Sequence, residues 1–103
     1  MSSKIHKRLS IEELKLVVKP VAEKYGVDKI YLFGSVARGE FKENSDYDFY
    51  IEADKIRSIF VISEFFQDLH DAIGHSIDMI SSRSVRPELM NKIMTEGVLV
   101  YGQ

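Results

Sequence analysis

Residues 29–52 decide the fold, and they read KIYLFGSVARGEFKENSDYDFYIE. Lys29–Phe33 has apolar residues on both faces, which predicts a short strand in the middle of a sheet. A tight element, Gly34–Gly39, follows it. Asp46–Glu52 then alternates strictly, which predicts a second strand with one polar face and one core face. The polar face would carry Asp46, Asp48, Tyr50 and Glu52, and the core face Tyr47, Phe49 and Ile51.

A helical pattern precedes this segment. Ser10 and Glu13 have the spacing of a capping box, and the helix that they open is predicted to end at Gly26. Pro20 lies inside this helix and has no backbone donor. We therefore expect a kink or a break near Leu16 to Lys19.

Two helices and two strands are predicted after residue 52. The first helix is capped by Ser58 and ends at Gly74, with the apolar stripe Ile59, Ile62, Phe66, Leu69 and Ile73. The second begins at Pro87 and ends at Gly97, and its buried side would be Leu89, Met90, Ile93 and Met94. The strands are expected at Ser76–Ile80 and Val98–Tyr101, and the first of them carries Asp78 opposite to Ile77 and Met79.

These elements predict one α+β domain over residues 1–103, with α/β-like character. Helices would cover a mixed sheet of about four strands. A chain of 103 residues is long enough for one core and too short for two. Residues 1–9, which include the basic run Lys4 to Arg8, are expected to form a flexible N-terminus.

Composition excludes several classes of function. The chain has no cysteine, so disulfides, thiolate zinc sites, iron–sulfur clusters and a cysteine nucleophile are excluded. Its 14 Lys and Arg against 16 Asp and Glu give a net charge of -2, which disfavours direct nucleic-acid binding. The start MSSKIHKRLS lacks a signal peptide's apolar run, and no apolar stretch approaches the roughly 18 residues of a membrane span. We therefore expect a cytoplasmic protein with no membrane partner.

The pair Gly34-Ser35 predicts an anion site. It stands at the end of a strand and just before a helix start, where free backbone N–H groups and the helix dipole favour negative charge. Gly34 would let a phosphate approach the backbone closely, and the Ser35 hydroxyl could donate a further hydrogen bond. The sequence has no GxxxxGK[ST] motif, so a Walker-type phosphate loop does not explain the pair.

Three aspartates predict a metal site beside this turn. Asp46 and Asp48 are two residues apart on a strand, so both carboxylates project from one face and repel each other unless they share a cation. Hard divalent ions such as Mg2+ take such oxygen ligands together with substrate phosphates. Asp78 occupies the polar face of the following strand, and it would join the other two if the strands are neighbours.

Each of these features alone has an ordinary structural explanation. Gly-Ser marks loops in many proteins, and Asp-x-Asp is common on a solvated strand face. An acidic face built from two strands beside an anion-binding turn is much harder to produce by surface patterning. The combination therefore favours metal-assisted phosphoryl or nucleotidyl transfer.

The string GSVARGEFKENSDYDFYIE resembles the signature of the DNA polymerase beta-like nucleotidyltransferase superfamily: Gly-Ser, a short helix, then Asp-x-Asp. The Ala-Arg-Gly after Gly-Ser, the short chain and the ending EGVLVYG are similar to the minimal nucleotidyltransferases (MNT), often encoded beside a HEPN-domain partner. The resemblance covers Ser10 to Tyr101. It implies a Mg2+-dependent transfer, with two ions, of a nucleoside monophosphate from an NTP such as ATP to an acceptor hydroxyl.

The resemblance also implies a role for each residue of the motif. Gly34 and Ser35 would hold the nucleotide's phosphates, and Asp46 and Asp48 would bind metal as catalytic residues. The third member of the catalytic and metal-binding set would be Asp78, which would bind the second ion and help to deprotonate the acceptor. Arg38 matches the family's arginine, and it would either pair with a phosphate or anchor an aspartate.

In the toxin–antitoxin members of this family, the acceptor is a tyrosine of a HEPN ribonuclease toxin, which AMPylation silences. The first interpretation is therefore an antitoxin that AMPylates a HEPN toxin. An alternative is a non-catalytic binding module that neutralises its partner by masking a surface. A third interpretation, transfer to a small molecule or an RNA end, is disfavoured because such enzymes usually carry a second domain for the acceptor.

Overall fold

The computed structural model describes residues 9–40 and 46–102, in which four helices and four strands occur. In chain order they are α1 Ile11–Tyr25, β1 Lys29–Phe33, α2 Gly34–Ala37, β2 Tyr47–Glu52, α3 Ile59–Ile73, β3 Ile77–Ser81, α4 Pro87–Glu96 and β4 Val98–Tyr101. The basic run Lys4 to Arg8 of the expected N-terminal segment lies outside the described residues, as does Ser45. Within the described ranges, none of the helices is both long and apolar enough to cross a membrane.

The four strands form one mixed sheet in the order β3-β2-β1-β4. β1 runs antiparallel to β2 and to β4, whereas β2 and β3 are parallel. The predicted fold class and the interior position of β1 are thus confirmed. Two register positions matter for the rest of the molecule: Phe33 lies opposite Asp48 across β1 and β2, and Asp48 lies beside Asp78 across β2 and β3.

Both ends of α1 form as the sequence predicts. The Ser10 hydroxyl accepts the Glu13 N–H at 3.1 Å, and the Glu13 carboxylate accepts the Ser10 N–H at 2.9 Å. Gly26 ends the helix in the left-handed conformation. Of the two outcomes expected near Leu16 to Lys19, a kink or a break, the break is wrong, because α1 continues through Pro20. Pro20 lies on the solvent side, and Leu16, whose carbonyl loses its helical donor, is 74% exposed, so water can satisfy that carbonyl.

Helices α1 and α3 pack into a common core with one face of the sheet. Tyr47, Phe49 and Ile51 on β2 are fully buried there, as the alternation predicts. Burying such a side chain contributes about 1.5–3 kcal/mol, so this face fixes the orientation of β2. The helix residues of this core that are fully or nearly fully buried are Leu14, Val18, Ala22, Phe65, Leu69 and Ile73.

The opposite face of β2 is only partly polar. Tyr50 was expected to be on the polar face, but it is 2% exposed, and its ring lies 5.9 Å from that of Tyr31. Its hydroxyl donates to Glu52 at 3.4 Å, and burial together with Glu52 raises the pKa of Tyr50 to about 12. α4 packs against β1, and its Ile93 is fully buried. On this face of the sheet, the polar surface that stays open to solvent is therefore limited to the end of β2 that carries Asp48.

The predicted apolar stripes of α3 and α4 are wrong at their ends. Ile59 is 73% exposed, whereas Ile62 and Phe66 are partly buried against the core, and Phe65 is the first fully buried residue of α3. On α4, Met94 is 48% exposed. A residue of an apolar helical stripe is buried only where another element packs against it. Ile59 and Met94 lie outside the parts of α3 and α4 that neighbouring elements cover.

A bond between α1 and α3 gives the first testable expectation. The Asp68 carboxylate accepts a hydrogen bond from the Tyr25 hydroxyl at 2.6 Å and from Lys24 Nζ at 3.0 Å. The hydrogen bond from Tyr25 is the main reason that the pKa of Asp68 lies below its ordinary value of 3.8, and the hydrogen bond from Lys24 lowers this pKa further. A lowered folded-state pKa stabilises the fold above the unfolded value, and this contribution is lost as the pH falls through the folded value.

We therefore expect Asp68→Asn to lower the urea midpoint of unfolding at neutral pH and to lower it less as the pH falls below 3.8. Asp71→Asn is the matched control, because Asp71 accepts its bond from Gln67 of the same helix at 2.9 Å. A midpoint difference for Asp68→Asn that stays constant with pH would contradict this assignment.

Candidate active site

Gly34 holds the turn between β1 and α2 against β2. Its φ is 79°, a left-handed conformation that side chains other than glycine rarely adopt. A Cβ at this position would collide with Oδ2 of Asp48 and lie 3.2 Å from its Cγ. The backbone of the turn thus lies against the Asp48 carboxylate, and a side chain at residue 34 would force that carboxylate to move.

Ser35 follows in the first turn of α2 and is half-buried. Phe33 occupies the N-cap position and provides no side-chain hydrogen bond to the helix start. Within the described residues, the Ser35 hydroxyl also has no hydrogen-bond partner, although the Ser35 carbonyl accepts the Glu40 N–H at 2.8 Å. The turn therefore presents backbone and hydroxyl donors beside Asp48, which is the chemistry that an anionic ligand needs.

The sheet brings the three predicted aspartates to one edge of its open face. Asp48 and Asp78 are register partners on β2 and β3, and Asp46 directly precedes β2 on the same side as Asp48. Asp48 is half-buried, whereas Asp46 and Asp78 are exposed. Burial raises the pKa of Asp48, the charges of Asp78 and Asp46 raise it further, and Arg38 acts against them. The fold thus holds like charges together at this site.

The donor set fits a divalent ion that the substrate helps to hold. Among residues 9–40 and 46–102, no three His, Cys, Asp or Glu side chains are arranged as a ready metal-binding group. Oδ1 of Asp78 accepts the N–H of Met79 at 3.0 Å. Mg2+ is commonly bound by one or two carboxylates plus substrate phosphates, and this set supplies carboxylates beside phosphate donors. The residues present therefore suit a substrate-completed site rather than a closed protein cage.

Arg38 lies one turn after Gly34 and pairs with glutamates. Its guanidinium is 3.2 Å from Glu40 and 3.9 Å from Glu96, and the Arg38 side chain is 42% exposed. Its charge lowers the pKa of Asp48, but among the described residues its ion pairs are with these glutamates and with no aspartate. The Arg38–Glu96 pair joins α2 to α4 beside the site.

A cavity of about 160 Å3 lies between α2 and α4 and was missed by the sequence reasoning. Its lining includes Gly34 and Arg38 from one side and Lys92 and Glu96 from the other. The spacing of Lys92 and Glu96 predicts only a shared helix face, which is usually solvated. A larger cavity of about 870 Å3 lies between α1 and β4, where none of the three aspartates lines it, so size alone does not mark the site.

Sequence comparison places the chain in a class. The family described as polymerase beta, nucleotidyltransferase, matches residues 17–103. The chain therefore belongs to the polymerase beta nucleotidyltransferase family, and the resemblance seen in its Gly-Ser and Asp-x-Asp motifs is confirmed.

Particular relatives narrow this class. The chain is 30% identical over 96 residues to the protein adenylyltransferase MntA of Thermococcus cleftensis, covering 89% of this chain and 97% of the relative. A Methanocaldococcus jannaschii protein, provisionally named a protein adenylyltransferase, is 32% identical over 90 residues, covering 87% of this chain and 97% of the relative. A chain of a toxin–antitoxin crystal structure with AMP-PNP has the same fold, with a TM-score of 0.73 and 25% identity over 86% of this chain and 73% of that one.

The contact between Gly34 and Asp48 can be tested by adding a methyl group. Gly34→Ala should destabilise the fold through both its positive φ and the collision with the carboxylate. Gly26→Ala is the matched control, because Gly26 has φ 71° and nothing within 4 Å of its Cβ position. We expect about 1 kcal/mol of destabilisation for Gly26→Ala and at least about 1 kcal/mol more for Gly34→Ala, measured by urea unfolding.

A second variant isolates the cause. Asp48→Ala removes the carboxylate and leaves only its Cβ, which would lie 3.4 Å from the new methyl group. The extra cost of Gly34→Ala should therefore largely disappear in the Asp48→Ala background. An unchanged cost there would show that the collision is not with the carboxylate.

The raised pKa of Asp48 has a consequence for stability. A folded-state pKa above the ordinary value of 3.8 means that ionised Asp48 destabilises the fold, fully so above the folded-state pKa and not at all well below 3.8. Asp48→Asn should therefore raise the thermal midpoint at neutral pH without added metal, and the gain should vanish at acid pH. Asp54→Asn is the control, because Asp54 accepts a bond from Ser82 at 2.9 Å, and no gain is expected there. A loss of stability in Asp48→Asn at neutral pH would contradict the strained-charge assignment.

Proposed function

We propose that this chain is an antitoxin that transfers AMP from ATP to a hydroxyl group, a tyrosine in the first instance, of a HEPN-domain toxin. The observation that carries the proposal is the registered pair Asp48 and Asp78 beside the Gly34–Ser35 turn. In this arrangement carboxylates, which can bind metal and accept a proton, lie next to the N–H and hydroxyl donors of the turn, which can bind phosphate. Nucleotidyl transfer requires both kinds of group.

The relatives support the acceptor class. Two of them are named protein adenylyltransferases, one of these provisionally, and a structural relative comes from a toxin–antitoxin structure with AMP-PNP. The chain covers 97% of the length of each named adenylyltransferase. A net charge of -2 is consistent with a protein acceptor rather than a nucleic acid, and we propose the cytoplasm as its location.

Gly34 and Ser35 would bind the phosphates of ATP. The backbone at Gly34 is bare, so a phosphate oxygen can approach the N–H groups of the α2 turn, and the Ser35 hydroxyl donates a further bond. Arg38 stands at the end of the same turn and would contact a phosphate only by exchanging it for Glu40 or Glu96, which pair with its guanidinium. These contacts orient the α-phosphate toward the carboxylates and hold it for attack.

Asp46, Asp48 and Asp78 would hold divalent metal, for which we propose two Mg2+ ions. When bound, Mg2+ neutralises the triphosphate and lowers the pKa of the acceptor hydroxyl. The acceptor oxygen forms a bond to the α-phosphorus while the bond from that phosphorus to the bridging oxygen of the β-phosphate breaks, and pyrophosphate leaves. Asp78 is exposed at the edge of the sheet, so its carboxylate can accept the acceptor's proton from the solvent side.

The test is mass spectrometry of a HEPN-domain partner incubated with this chain, ATP and Mg2+. We expect the partner to gain one or more AMP units. Asp46→Asn and Asp48→Asn should fold and should slow transfer by about two orders of magnitude or more, since metal-bound charge stabilisation is worth several kcal/mol. Asp54→Asn, which removes an aspartate charge elsewhere, should leave transfer unchanged.

The same experiment separates catalysis from surface masking. A masking module would bind the partner and suppress its ribonuclease activity equally with and without ATP and Mg2+, and it would leave the partner's mass unchanged. Full transfer by either aspartate variant would refute the assigned metal site, and a wild-type chain that never adds AMP would refute the proposed enzyme.

A further inference from the structure

The cavity between α2 and α4 adjoins the carboxylate site, and its α4 side has no role so far. Leu89, Lys92 and Glu96 face it from α4 at helical spacing, and Gly34 and Arg38 face it from α2. Gly34 belongs to both places, because it lines the cavity and also touches the Asp48 carboxylate. A group in the cavity is therefore separated from the carboxylate site by a single residue.

The charges of the cavity leave Lys92 available for a ligand. Arg38 is engaged by Glu40 and Glu96, and the Arg38–Glu96 pair offsets one positive charge with one negative charge. Across residues 9–40 and 46–102, Lys92 has neither an ion pair nor a hydrogen bond, and its side chain is on an exposed part of α4. The lining of the cavity thus includes one lysine that, among the described residues, no carboxylate pairs with.

The lining of the cavity suits a small anionic group, because it carries the cations Arg38 and Lys92 and one acid, Glu96. A lysine ammonium on a flexible four-carbon chain is a strong phosphate binder and acts as a point charge. The cavity therefore offers a cationic partner to the terminal phosphates of a nucleotide.

We propose that Lys92 binds the β- and γ-phosphates of the nucleotide in this cavity, and the pyrophosphate product after transfer. The proposal rests on the proposed nucleotidyl transfer, because the α-phosphate must lie at the carboxylates for the next phosphates to reach past Gly34. Lys92 then neutralises the negative charge that develops on the leaving pyrophosphate when the bond between pyrophosphate and the α-phosphorus breaks. α4 would therefore be the element of the site that contacts the leaving pyrophosphate.

Binding of three ligands tests this proposal. Calorimetric titrations with ATP, pyrophosphate and AMP, all in Mg2+, would compare the wild-type chain with Lys92→Met and Lys92→Arg. Lys92→Met should weaken ATP and pyrophosphate binding about tenfold or more and leave AMP binding unchanged, because AMP lacks the terminal phosphates. Lys92→Arg should restore most of the loss. Lys19→Met is the matched control: it removes an exposed lysine from α1, at the cavity beside β4 rather than at the aspartates, and should change no affinity.

The outcomes distinguish this proposal from the function on which it rests. If the wild-type chain adds AMP to its partner and Lys92→Met binds ATP and pyrophosphate as tightly as wild type, only the role of Lys92 is overturned. Equal losses for AMP and ATP also overturn it, because they place Lys92 elsewhere on the nucleotide. If the wild-type chain binds no nucleotide and adds none, the proposed function and the role of Lys92 both fail.

Discussion

The contact between the Gly34 backbone and the Asp48 carboxylate is the constraint on which the site depends. It joins the turn proposed to bind phosphate to the strand proposed to bind metal, with no side chain between the Gly34 backbone and the carboxylate. Because Phe33 is the register partner of Asp48, the end of β1 and the start of β2 cannot shift independently. The cost is electrostatic, since a half-buried carboxylate lies beside two like charges. If the three aspartates bound no ligand, replacing one of them by a neutral residue would stabilise the fold, because the repulsion between their charges would fall.

The hydrophobic core keeps this strained arrangement in register. Tyr47, Phe49 and Ile51 alternate with the polar side chains of β2 and are fully buried against α1 and α3. A slip of one residue would turn all three toward solvent and carry Asp48 into the core, so the sheet has only one acceptable register. The position of the aspartates is thus enforced from the opposite face of the same strand, by residues that contact no ligand.

Local chemistry made much of the fold predictable. The helix caps at Ser10 and Gly26 and the limits of β1 and β4 follow from neighbouring residues and appear where the sequence places them. Features set by distant packing were missed. Tyr50 is buried because its side of the sheet is covered, and the helix passes Pro20 because Leu16 faces water. The approach of Asp78 to Asp48 could be stated only on the condition that β2 and β3 are neighbours, since no local signal reports strand order.

Unequal coverage of the three aspartates indicates how so small a domain could use a partner. Helix α4 covers one side of Gly34. On the other side, β3 is an edge strand, and its Asp78 is exposed. A nucleotide held by the turn and by α4 would therefore present its α-phosphate toward the open β3 side, where in-line attack opposite to the leaving group must begin. In the proposed function the turn and α4 would supply groups for the phosphates, whereas among the described residues Asp78 on β3 stays exposed. The identity of the acceptor would then be decided by the protein that docks there, because Asp78 is exposed on the edge strand β3.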